Sequence, residues 1–177
     1  ILSAFLAILL GNPDIGAAEN RFTVQFSTAR INWNPHYAYT TTEAQVFTAL
    51  YEGLVTFHPA TLRPVPGAAE SWEISEDSMT ITFTIREDAA WSNGESLTSI
   101  DFRESWIKIL SPETDAEYAS LLDDIRGARD FRTGKASEKA LGIHAPDNRT
   151  LVVELNQPSP QFFSILCHYS FAPLHKD

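Results

Sequence analysis

Few side chains in this sequence are grouped as a reaction would need. The five histidines, His36, His58, His144, His168 and His175, share no H-x-x-x-H or similar spacing. Two imidazoles one helical turn apart are what a helix-borne metal site uses, so no metal site is expected. Cys167 is the single cysteine, which excludes an intrachain disulfide and any multi-cysteine zinc or iron–sulfur site. Cys167 and His168 are adjacent, but neighbouring side chains on a helix diverge, which disfavours a nucleophile–base pair. The same reasoning makes Asp123-Asp124 a solvated face rather than an acid pair. No G-x-S-x-G, Walker or dinucleotide-binding string is present, and no cofactor is implied. Thirteen Lys and Arg against 23 Asp and Glu give a net charge of −10. Phosphate binding needs clustered cations, so nucleic acid is not an expected partner.

The elements that would position any site follow from periodicity. The 177 residues are 44% hydrophobic, and the length allows one sizeable core or two small ones. Ile1 to Leu10 is an apolar run broken by Gly11 and Pro13 and followed by Gly16-Ala17-Ala18. It is too short to span a bilayer, which needs about 20 residues. It reads as the apolar core and cleavage site of a secretory signal without its basic start. Residues 1–18 are therefore expected to be a signal remnant, and no lipid-attachment cysteine follows them.

Beyond it, Phe22, Val24 and Phe26 alternate with polar residues, the mark of a half-buried strand. Asn34-Pro35 marks a turn. Thr40 with Glu43 predicts a capping box, opening a helix with Phe47, Leu50 and Leu54 on one face. Pro64 and Pro66-Gly67 predict a loop. Trp72 and Ile74, then Met79, Ile81, Phe83 and Ile85, predict a β-hairpin. Asn93-Gly94 predicts a turn. Thr98 with Asp101 predicts a second cap, followed by an apolar stripe of Phe102, Trp106, Ile109 and Leu110. A looser helix is expected over 116–131 and a strand at Leu151, Val153 and Leu155. Ser159-Pro160 predicts an N-cap and first turn for a helix burying Phe162, Phe163, Ile165 and Leu166. Trp72, Trp91 and Trp106 are expected to serve packing. The alternation of strands and helices predicts a mixed α/β (α+β) fold.

Several strings then acquire a shared meaning. Leu50-Tyr51-Glu52-Gly53-Leu54-Val55, Pro66-Gly67-Ala68-Ala69-Glu70-Ser71-Trp72 and Phe83-Thr84-Ile85-Arg86 occur in that order. Ala90-Trp91-Ser92-Asn93-Gly94-Glu95, Glu117-Tyr118-Ala119, Gly127-Ala128-Arg129-Asp130-Phe131 and Pro158-Ser159-Pro160 follow. Together they resemble the extracellular oligopeptide- and dipeptide-binding proteins of ABC importers across nearly all of the chain after residue 18. The resemblance implies a class II periplasmic-binding-protein-like fold of three lobes. Residues 19–51 would open lobe I, 52–172 would form lobe II, and 173–177 would return toward lobe I. The remainder of lobe I and lobe III would lie outside this sequence.

The implied function is capture of a short peptide between lobes and delivery to membrane permease subunits. A monomer in the periplasm is implied, with attachment to the cell surface as the alternative. Tyr39, Thr40 and Thr41 fall where lobe I backbone meets the ligand, and Tyr118 where a lobe II tyrosine reaches it. Tyr118 could equally be a half-buried tyrosine with its hydroxyl satisfied, and Thr40 could serve only as a cap. Asn34 stands where the family commonly has Asp, and Tyr39 where one oligopeptide binder has a carboxylate, which leaves the ligand open. The same scaffold could take another solute, such as a nickel chelate or a glycoside. An exported hydrolase is the alternative of a different class, and it would need a convergent carboxylate pair.

Overall fold

The computed structural model describes residues 31–176. The expected signal remnant, the strand at Phe22–Phe26 and Asp177 lie outside the described residues. The fold is mixed α/β. Its centre is a four-stranded antiparallel sheet in the order β3-β4-β6-β5, formed by β3 (Ala69–Ile74), β4 (Thr80–Ile85), β5 (Ile143–His144) and β6 (Thr150–Glu154). The expected hairpin is β3–β4, with Trp72 opposite Phe83 and Ile74 opposite Ile81. β6 lies on the other side of β4, bringing Leu151 opposite Phe83 and Val153 opposite Ile81. Period-2 alternation sends Ile81, Phe83, Ile85, Leu151 and Val153 into the core. The threonines between them keep the other face polar.

Helix α2 (Ser99–Leu110) covers the apolar face with Phe102, Trp106, Ile109 and Leu110, all buried. Each such side chain contributes about 1.5–3 kcal/mol on removal from water. The Asp101 carboxylate accepts from both the Thr98 amide and the Thr98 hydroxyl at 2.7 Å, so the expected cap forms. Helix α1 (Thr41–Leu50) likewise starts at the expected Thr40–Glu43 capping box.

Residues around α1 form a separate small cluster of Ala38, Val46 and Phe47, with Ile31, Tyr51 and Tyr169 against it. The main cluster runs from Leu54 to Phe171. The chain passes from one to the other at Tyr51–Gly53. There the Arg86 guanidinium grips both Glu52 carboxylate oxygens at 2.9 Å and donates to the Gly67 carbonyl at 2.8 Å.

Four expectations are corrected. The α1 stripe is Val46 and Phe47: Leu50 is 62% exposed, and Leu54 is buried in the other cluster after the helix has ended. Extended backbone at Tyr51 turns the chain out of helical register. Pro64–Pro66 is a strand, β2, paired antiparallel with β1 (Val55–Phe57). A two-stranded ribbon is all edge, so an amide-less proline leaves no ladder bond broken on an outer side.

The helix expected over 116–131 is two pieces, a 3-10 turn at Ala119–Leu122 and α3 (Ala128–Arg132), separated by Gly127 at φ 75°. Helix α4 (Phe162–Leu166) starts after Gln161, not at Pro160. The Ser159 hydroxyl donates to Asp124 at 2.6 Å instead of capping, since a hydrogen bond to a carboxylate outcompetes one to an amide.

Two stability predictions follow from this packing. A Cβ on Gly127 would sit 2.3 Å from the Ala140 carbonyl oxygen, whereas one on Gly134, also at positive φ, would meet nothing within 4 Å. Gly134→Ala should cost about 1–2 kcal/mol from backbone strain alone, and Gly127→Ala distinctly more. Urea midpoints of the two variants check this, and equal losses would contradict it.

His36 is buried with neither ring nitrogen hydrogen-bonded among the described residues. Burial, with Lys108 nearby, lowers its pKa from 6.5 to about 4. The unfolded chain takes up this proton first, so stability is full above pH 6.5 and is lost as pH falls toward 4, by about 3 kcal/mol in all. Glu43, held low by hydrogen bonds from Asn32 and Thr40, adds its loss only below the ordinary carboxylate range. His36→Leu should therefore flatten urea stability between pH 6.5 and pH 4.5. An unchanged slope would contradict the assignment.

Candidate functional site

Thr40 is committed to its helix. Its hydroxyl donates to Glu43 Oε2 at 2.8 Å and accepts from the Glu43 amide at 3.2 Å. The same carboxylate accepts from the amides of Asn32, Tyr39 and Thr40. Glu43 thus ties the segment before α1 into one rigid turn. Tyr39, 72% exposed, and Thr41, also exposed, stand on its outer side.

Tyr118 precedes the Ala119–Leu122 turn and is half-buried. Its ring lies 4.5 Å from that of His168. His168 lies 4.2 Å from Tyr169, and Tyr169 lies 5.8 Å from Phe47 of α1. Phe47 meets Tyr51 edge-on at 5.5 Å. A continuous aromatic chain therefore runs from Tyr118 across the 3-10 turn Tyr169–Phe171 to α1. Offset and edge contacts of this kind add about 0.5–1.5 kcal/mol each beyond burial. Among the described residues no hydrogen bond or ring contact joins Tyr39–Thr41 directly to Tyr118; the link runs through His168 and Tyr169 to Phe47 of the helix that Thr41 opens. Burial first, then Tyr118 and Glu43, push the Tyr169 hydroxyl up to about 12, so it keeps its proton.

Beside this chain lies a groove of about 320 Å³, lined by Thr48, Tyr51, Glu52, Cys167, His168 and Tyr169 among others. Neither Tyr118 nor Tyr39–Thr41 lines it. His168 and Tyr169 were not candidates from sequence. The only cue was the density of aromatic and imidazole side chains in His168-Tyr169-Ser170-Phe171, directly after an amphipathic helix.

The groups considered for catalysis have other occupations. Asp123 forms a two-pronged ion pair with Arg132 at 2.7 and 3.0 Å, and Asp124 accepts from Ser159. Neither faces the other across a water site, and both are partly buried rather than a solvated face. Burial pushes the Cys167 thiol up to about 11, which leaves it un-ionised at neutral pH. Burial also lowers the His168 pKa. Among the described residues, no three His, Cys, Asp or Glu side chains are grouped to hold a metal ion. Trp106 is fully buried, and Trp72 packs 5.1 Å from Phe163. Trp91 meets His175 edge-on at 5.1 Å.

Comparison with known proteins gives these features a family. The model of the bacterial extracellular solute-binding proteins, family 5 Middle, matches residues 63–177. The periplasmic oligopeptide-binding protein OppA of Haemophilus influenzae is 39% identical over 145 residues, which is 81% of this chain and 27% of that protein. The oligopeptide-binding protein OppA of Bacillus subtilis is 34% identical over 158 residues, 89% of this chain and 29% of that protein. The chain thus spans less than a third of the length of these two relatives.

Among solved structures, Haemophilus influenzae OppA in complex with RPPGFSPFR matches with a TM-score of 0.76 and 40% identity. That match covers 81% of this chain and 28% of that one. The Escherichia coli murein tripeptide binding protein MppA matches with a TM-score of 0.76 and 35% identity, over 81% of this chain and 28% of that one. With its sheet, its turns and most of its length matched in this way, the chain belongs to the bacterial extracellular solute-binding proteins of family 5.

Proposed function

We propose that this chain is part of the solute-binding component of an ABC importer that captures short peptides outside the cytoplasmic membrane and hands them to permease subunits. The observation that carries this reading is the 40% identity to a relative whose structure holds RPPGFSPFR, across 81% of this chain. In this reading the protein is a monomer of the periplasm and not an enzyme. Residues 19–51 open lobe I, 52–172 form lobe II, and 173–177 lead back toward lobe I. The change from one hydrophobic cluster to the other at Tyr51–Gly53 supports the first boundary.

The ligand lies extended between lobes. Main-chain hydrogen bonds of the kind an added β-strand makes supply affinity without reading side chains. Bridging water accommodates the side chains themselves. Binding selects the closed arrangement of lobes, which the permease then recognises. Tyr39, Thr40 and Thr41 meet the ligand from lobe I. Since the Thr40 hydroxyl is held in its cap, backbone and the exposed Tyr39 and Thr41 make that contact. Tyr118 meets it from lobe II. Its lean on His168 supports this role, because a ring held on one face presents the other without further loss of freedom.

The test is calorimetric titration of the full-length polypeptide carrying this chain with a pool of synthetic tri- to pentapeptides. Saturable binding is expected, and heat from a nickel chelate or a glycoside with none from peptides would favour the other solutes. Tyr118→Ala should weaken peptide binding by about 1–3 kcal/mol, the cost of losing a buried polar contact. Unchanged affinity would remove Tyr118 from the site.

A further inference from the structure

His168 carries an arrangement that packing alone does not require. Its Nδ1 accepts from the Ser170 amide at 3.3 Å and so caps the Tyr169–Phe171 turn. A neutral imidazole that accepts at Nδ1 carries its proton on Nε2. That Nε2–H has no hydrogen-bond partner among the described residues, and it is not sealed from solvent, unlike both nitrogens of His36. The ring packs against Tyr118 at 4.5 Å, Tyr169 at 4.2 Å and Phe171 at 5.8 Å. These ring contacts and the cap at Nδ1 limit how the imidazole can turn, so the Nε2 donor keeps a set direction. His168 also lines the groove beside Tyr51 and Glu52.

We propose that His168 is a ligand-binding residue whose Nε2–H donates to a main-chain carbonyl of the extended peptide that Tyr118 contacts. This rests on the peptide-binding reading above. A carbonyl suits the donor better than a carboxylate. A half-buried neutral donor pairs with a carbonyl at little cost, whereas a carboxylate would have to be desolvated there without a charged partner. Burial favours the neutral ring. A protonated ring would put a donor at Nδ1 against the Ser170 N–H and break the cap. The preset donor gives up little freedom on binding, which is how a rigid group adds affinity.

Two substitutions separate binding from capping. In His168→Asn the side-chain oxygen can take the Nδ1 position and keep the cap, while the Nε2 donor is lost. In His168→Gln the amide can reach toward the Nε2 position, while the cap is lost. Both are compared with the wild-type full-length protein by thermal unfolding and by titration with the same peptide pool. The Asn variant should melt close to wild type and bind about tenfold more weakly. The Gln variant should melt lower and bind more tightly than the Asn variant. Wild-type affinity in the Asn variant, or losses that track melting temperature in both, would overturn this inference alone. A wild-type protein that binds no peptide in the pool would overturn the peptide reading and this inference with it.

Discussion

The indole N–H of Trp106 donates to the carbonyl of Phe171 at 2.9 Å in the fully buried core, and the candidate site hangs from that bond. A large side chain on α2 cannot be sealed from water with its N–H unpaired without a cost of about 1–3 kcal/mol. The partner it finds lies 65 residues on, in the turn that carries Tyr169 and is capped by His168. Fixing Phe171 fixes that turn, and the turn supports Tyr118 on one side and Phe47 on the other. The Leu174 amide adds a second tie, donating to Ser105 Oγ of the same helix at 2.9 Å. One helix thus holds the sheet beneath it and the segment that links the two hydrophobic clusters.

Where sequence signals are local, they read through to the structure. Thr40 with Glu43 and Thr98 with Asp101 form caps because three residues of separation bring each carboxylate back to its own helix start. The β3–β4 hairpin follows from strict alternation around a short polar turn. Signals failed where a distant partner decided the outcome. Ser159 would have capped α4, but Asp124, 35 residues away, takes its hydroxyl. Gly127 interrupts the helical stretch because the Ala140 backbone passes too close for any Cβ, and no periodicity reports that approach. Pro64 and Pro66 carried the composition of a loop, and only the pairing with Val55–Phe57 makes them a strand.

The candidate site was legible in part for the same reason, though its contact with a ligand stands as a proposal. Tyr118 was singled out through its motif, and Tyr39–Thr41 through their spacing from Leu50-Tyr51-Glu52-Gly53. His168 and Tyr169 were not, because their meaning lies in ring contacts to residues about 50 and over 100 positions earlier. The sequence suggested a Cys167–His168 pair to be weighed and set aside. The structure gives His168 a different neighbour, the Tyr118 ring, and leaves Cys167 a half-buried thiol.

The charge distribution suits the proposed site, which would read backbone rather than charge. The chain carries a net charge of −10, yet the aromatic chain from Tyr118 to Tyr51 is built of neutral rings. Ion pairs such as Arg126–Glu154 and Arg149–Glu70 lie elsewhere on partly exposed surface, where each contributes about 0–1 kcal/mol. A charged group at the centre of the site would favour one class of ligand and resist desolvation against the rest. In the proposed site the neutral donor of His168 would make no such choice, because every peptide offers a carbonyl. Selection by side chain would then fall to the space and water around the ligand, which a rigid aromatic wall would keep constant from one ligand to the next.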